Sequence, residues 1–102
     1  MTTTTKSTAI EIVRDAHVAA TAHTEFSKDV YDNAVLTLGD HRIVVGTEWD
    51  DQEDGEVWGY SWTTYIADAD APHGWEDMGS DGTQDPATLR ATVDEWIATH
   101  NH

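Results

Sequence analysis

The sequence contains no cysteine. That excludes disulfides, thiolate zinc sites and thiol nucleophiles. No apolar run approaches the ~18 residues that a membrane-spanning helix needs. The first residues, Met1-Thr-Thr-Thr-Thr-Lys6, lack the apolar core of a signal peptide, so a cytoplasmic location is expected. No Gly-rich phosphate loop, Gly-x-Ser-x-Gly elbow or Ser–His–Asp arrangement is present. The chain is therefore read as a non-enzymatic protein without a cofactor. Bases are the scarcest class of all: five Lys and Arg stand against 20 Asp and Glu, a net charge of −15. Such a charge repels nucleic acid and anionic membranes, and leaves a basic protein surface as the expected partner.

What is there suffices for one folded domain. The 102 residues are 38% apolar, which is low, but they include five Trp, three Tyr and one Phe. Each buried aromatic ring removes a large area from water, so the chain can fold despite its charge. Residues 1–7 read as a disordered tail. Thr8 followed by Glu11 fits a capping box. Ala9, Val13, Ala16 and Ala20, flanked by Ile12, Ala19 and Phe26, recur at helical spacing. Together they predict a helix over about residues 8–24. Val35–Leu38, Gly39-Asp40 and Arg42–Val45 read as a hairpin around a two-residue turn, its second strand continuing toward Trp49. Val57 to Ile66 alternates: Trp58, Tyr60, Trp62, Thr64 and Ile66 share one face, taken as the core face. A short fourth strand is expected at Trp75 to Met78. Asp85-Pro86 starts a second helix, running to about residue 99 with Leu89, Val93, Trp96, Ile97 and His100 on one face. The expected fold is a two-layer α+β domain. An antiparallel sheet of three or four strands is covered by an N-terminal and a C-terminal helix.

The acidity is not uniform. Residues 1–47 hold six acids and four bases, and residues 86–102 hold two acids and one base. Residues 48–85 hold the other twelve acids and neither Lys nor Arg. Duplex DNA carries twelve charges in roughly 20 Å of its axis. Twelve carboxylates on one face of a domain about 30 Å across would approach that density. Solubility needs a net charge of only about 2–8 in a small domain. A functional acidic surface follows as the leading reading, and its sharpest form is an inhibitor that mimics nucleic acid, of the kind phages use against host defences. The expected partner is then a nucleic-acid-binding protein. The surface would comprise Glu48, Asp50, Asp51, Glu53, Asp54, Glu56, Asp68, Asp70, Glu76, Asp77 and Asp81. Trp49 and Trp75, each flanked by acids, suit anchors for an Arg- or Lys-rich partner. The main alternative is a salt-adapted domain of the halophilic kind, which fits two lysines in the chain but would spread the acids evenly.

A weak divalent-metal protein is the other alternative. Asp50-x-x-x-Asp54-Gly55 resembles the start of an EF-hand loop, but Gln52 and Ser61 stand at its third and twelfth positions. Asp77-x-x-x-Asp81-Gly82 fails in the same way, with Gly79 and Thr88 there. The six His form no His-x-x-x-His pair, and no metal site is assigned. His100 is expected to act on the carbonyl end of the last helix. The Trp58–Tyr60–Trp62 stripe lacks the interleaved bases of a single-strand binder and is assigned to the core.

Overall fold

Apolar alternation in the middle of the chain builds a sheet, and two amphipathic helices cover it. The computed structural model describes residues 6–20, 23–31, 33–49 and 57–100, with only the backbone of Lys6, Ser7, Glu48, Trp49, Val57 and Trp58. The order is α1 (Lys6–Ala19), β1 (Glu25–Lys28), β2 (Ala34–Leu38), β3 (His41–Trp49), β4 (Val57–Ala67), β5 (Trp75–Thr83) and α2 (Pro86–His100). The strands form one antiparallel meander in chain order.

Pairing register decides which side chains meet the helices. Leu36 lies opposite Ile43, Ala34 opposite Val45, Val45 opposite Trp62, and Thr47 opposite Tyr60. Directly opposed residues share a face. These positions meet Ala9, Val13 and Ala16 of α1 and Leu89, Val93, Trp96 and Ile97 of α2 in a single core. The alanines let α1 lie close to the sheet. Burying side chains such as Leu36, Ile43 and Leu89 contributes about 1.5–3 kcal/mol each. Two rings of the aromatic stripe turn inward, and the side chain of the third, Trp58, lies outside the described residues. Tyr60 is fully buried, and Trp62 packs against the core while partly exposed. The hydroxyls of Tyr60 and its cross-strand neighbour Thr47 are buried without a hydrogen bond among the described residues.

The sheet differs from expectation in strand number and length. It has five strands, not three or four. β1 went unread because four residues, Glu-Phe-Ser-Lys, offer one inward ring and no alternation. Tertiary contacts make it a strand. Phe26 pairs across to Leu36 and stacks on His17 of α1, while His17 and Thr24 share a hydrogen bond. β5 runs nine residues, to Thr83, well past Met78. Its sequence is polar because it is an edge strand with mostly exposed side chains, so the pattern resembled a loop. α1 begins at Lys6 and ends at Ala19, so Thr8 is inside the first turn and does not cap it. The Ala20 amide donates to the His17 carbonyl, tightening the final turn.

The start of α2 is as expected. Asp85 accepts hydrogen bonds from the Ala87 amide (3.1 Å) and the Thr88 hydroxyl (2.8 Å), and Pro86 opens the first turn. The Thr88 hydroxyl, followed by the Ala87 amide, holds the Asp85 carboxyl below its ordinary 3.8. Stability from its ionised form is thus complete above 3.8 and is lost as pH falls through the lowered value. Asp85→Asn keeps a cap that does not titrate. The stability gap between wild type and this variant, read by urea denaturation, should be present near about pH 6 and shrink as pH falls below 3.8.

Gly59 marks a second constraint. A Cβ there would lie 2.6 Å from the Thr83 carbonyl oxygen, in backbone where β4 meets the end of β5. Gly59→Ala should therefore lower the unfolding free energy by about 1–3 kcal/mol, seen as an earlier urea midpoint.

Candidate functional site

The helices cover one face of the sheet, and the other is open. On the open face, register sets Val35 opposite Val44, Val44 opposite Thr63, Arg42 opposite Tyr65, and Tyr65 opposite Asp77. Val35, Val44, Tyr65 and Trp75 line a groove of about 510 Å³ together with Arg42, Asp29, Val30 and His73. Val35 is only 6% exposed although no helix lies above it.

The β1–β2 turn walls one end of this groove. The Asp29 carboxylate accepts the amides of Tyr31 (2.9 Å) and Asn33 (3.0 Å) and the Asn33 side-chain amide (3.1 Å). The Asn33 side chain lies across β3 where a Cβ on Gly46 would collide with it. Glycine at 46 is what lets the turn settle there. Val30 and Tyr31 at its tip are 90% and 72% exposed.

Arg42 is held between two neighbours. Its Nε donates to the Thr37 hydroxyl at 3.2 Å, and its guanidinium carbon lies 4.1 Å from the centroid of the Trp75 ring. A cation over an indole face at this distance is an attractive contact. Trp75, read from the sequence as an anchor for a partner's cation, already carries one from its own chain. The ring still faces the groove.

The acidic residues fall into separate groups. Asp68 and Asp70 sit in the β4–β5 connection, next to the β2–β3 turn, where the Ala67 amide donates to the Asp40 carbonyl (2.8 Å). Glu76, Asp77 and Asp81 follow along β5, all exposed. By register Asp77 belongs to the open face, while Glu76 and Asp81 belong to the helix-covered one. Glu48 and Trp49 end β3 at the opposite end of the sheet. An eleven-residue β4 makes the separation roughly 35 Å. Asp50, Asp51, Glu53, Asp54 and Glu56 lie outside the described residues. The structure thus brings together Asp68, Asp70, Trp75, Glu76 and Asp77, while Asp81, opposite Trp62, lies toward the end of the sheet where Glu48 stands opposite Gly59.

Several of these acids also order their own backbone. Asp68 accepts the Asp70 amide (2.9 Å), Asp77 the Gly79 amide (2.8 Å) and Asp81 the Gly82 amide (2.8 Å). The Asp77–Thr88 stretch that resembled a calcium loop is strand and helix start, not loop. No three His, Asp or Glu among the described residues are grouped to hold a metal ion. His100 stacks on His41 (3.8 Å between ring centroids) and meets Trp96 edge-on, so the helix end packs against the hairpin. No helix among the described residues is long and apolar enough to cross a membrane.

Sequence reading missed the groove. Val35, Val44, Arg42 and Tyr65 come from three strands, and only pairing register gathers them. The available signal was Val44 and Tyr65 on the outward phase of their strands, where a solvated face would carry polar residues. Compared with models of protein families, with curated proteins and with solved structures, the chain matches none.

The Arg42–Trp75 contact ties the β4–β5 connection to the sheet centre. Trp75→Leu should cost about 1 kcal/mol of stability by urea denaturation, from loss of the cation–π contact.

Proposed function

We propose that this protein is a non-enzymatic binding module whose acidic edge takes a basic site on a partner protein. The partner class that best suits such an edge is a nucleic-acid-binding protein, with the module acting as an inhibitor by occupying its groove. The carrying observation is β5: an outermost strand of nine residues that exposes Glu76, Asp77 and Asp81, continuous with Asp68 and Asp70. The sequence from 48 to 85 contains no Lys or Arg to neutralise them. Carboxylates so placed repel one another by a few tenths of a kcal/mol or more at surface dielectric, a cost that a basic partner would remove. Charge of one sign along an edge also steers encounter and keeps like molecules from pairing with that edge.

The nearly balanced segment 1–47 argues against salt adaptation as the whole explanation, because that pressure acts on every exposed surface. Backbone ordering by Asp68, Asp77 and Asp81 accounts for those three positions but not for Asp70 or Glu76.

The test is charge reversal. A Glu76→Lys, Asp77→Lys, Asp81→Lys triple variant should keep its circular dichroism spectrum, since all three side chains are exposed and the two hydrogen bonds lost, from the Gly79 and Gly82 amides, lie where water can replace them. Proteins from the native host captured by the wild type at about 50 mM NaCl should be released by about 500 mM NaCl and by added duplex DNA. The variant should fail to capture them. Capture that survives salt, DNA and charge reversal would sink the reading.

A further inference from the structure

Arg42 has a place in the open-face groove that the acidic edge does not use. Twenty acids compete for five bases in this chain. Arg90 has taken one: its Nε lies 3.1 Å from both oxygens of Asp94. Arg42, by contrast, makes no ion pair among the described residues. Among the described residues its Nε donates to the Thr37 hydroxyl, and Trp75 supports the guanidinium plane. A guanidinium offers five N–H donors in a rigid fork. The four on its two terminal nitrogens meet no acceptor among the described residues and suit a ligand's.

The surroundings specify that acceptor. Val35, Val44 and Tyr65 supply an apolar floor, and the volume of about 510 Å³ falls in the range of small-molecule sites. One oriented cation beside an apolar floor fits a ligand with one anionic end and one apolar end. A planar carboxylate matches the fork through two parallel hydrogen bonds. A doubly charged phosphate suits the site less, because Asp29 lines the groove and Asp77 flanks Tyr65.

We propose that the groove binds a small organic acid, with its carboxylate on Arg42 and a single ring or short aliphatic body on Val35, Val44 and Tyr65. This site is independent of the acidic edge, and salt separates the two. The chain's net charge of −15 repels any anion, and salt screens that repulsion within a Debye length of about 8 Å at physiological strength. Salt also screens the Arg42–carboxylate attraction, so the two effects offset and binding of a small acid changes little with salt, while capture of a basic partner weakens.

The experiment is an NMR titration of the full chain with sodium benzoate, with benzyl alcohol as the neutral isostere, at about 50 and 300 mM NaCl. The Arg42 Nε–H and Trp75 indole N–H resonances should shift and saturate with benzoate. Benzyl alcohol should bind about tenfold more weakly or worse, the loss of a charge-assisted pair. Arg42→Gln should bring benzoate down to the level of benzyl alcohol. Val44→Phe, which fills the groove and leaves Arg42 in place, should abolish both and covers the case in which Arg42→Gln does not fold. Shifts that never saturate, equal binding of both probes, or benzoate binding untouched by either folded variant would overturn the proposal. So would groove resonances that move with protein concentration alone, since a second copy would then occupy the face.

Discussion

The packing of one sheet face against two helices carries this fold. Leu36, Ile43, Val45 and Tyr60 meet Val13, Leu89 and Val93, and all seven are shielded from water. With 20 acids to accommodate and a charged carboxylate unable to enter an apolar core without great cost, the chain concentrates its buried apolar area on that side. The rest follows from that restriction. Acids are pushed to the edge strand, to the connections and to the outer faces of the helices. Among the described residues no helix covers the second sheet face.

That uncovered face is not a plain solvated surface. An antiparallel sheet can leave one face in water, and such a face ordinarily alternates to polar residues. Here Thr37, Ser61, Thr63 and Ser80 follow that rule, and Thr63 and Ser80 share a hydrogen bond of 2.8 Å across β4 and β5. Val35, Val44, Tyr65 and Trp75 do not. They stay apolar beneath the β1–β2 turn, which a single carboxylate, Asp29, closes through three hydrogen bonds. The groove is therefore produced by local turn chemistry set upon sheet register, with Gly46 providing the room.

Acidity and aromaticity meet at Trp75. Its ring reaches back over Arg42 while its strand carries Glu76 and Asp77 outward. The acidic edge and the groove are thus two surfaces of the same short stretch of chain. The two surfaces differ in charge: carboxylates line the edge, and a guanidinium lies in the groove.

The amino-acid sequence by itself determined the class of fold, the hairpin, the long alternating strand, the Asp85-Pro86 helix start and the absence of bases from residue 48 to residue 85. Each is legible because periodicity and capping are local: Tyr60 and Trp62 alternate whatever they later touch, and Asp85 caps the helix that follows it. Tertiary structure alone decided the rest. β1 is a strand only because Phe26 finds Leu36 and His17, and β5 extends to Thr83 only because β4 supplies its hydrogen-bond partners. The same holds for the described acids of residues 48–85. One acidic segment in sequence becomes groups at opposite ends of the sheet, because an antiparallel meander sends successive connections to opposite ends. The groove needed Val35, Val44 and Tyr65 from three strands, and register, a property of pairs of strands, is written in no single one of them.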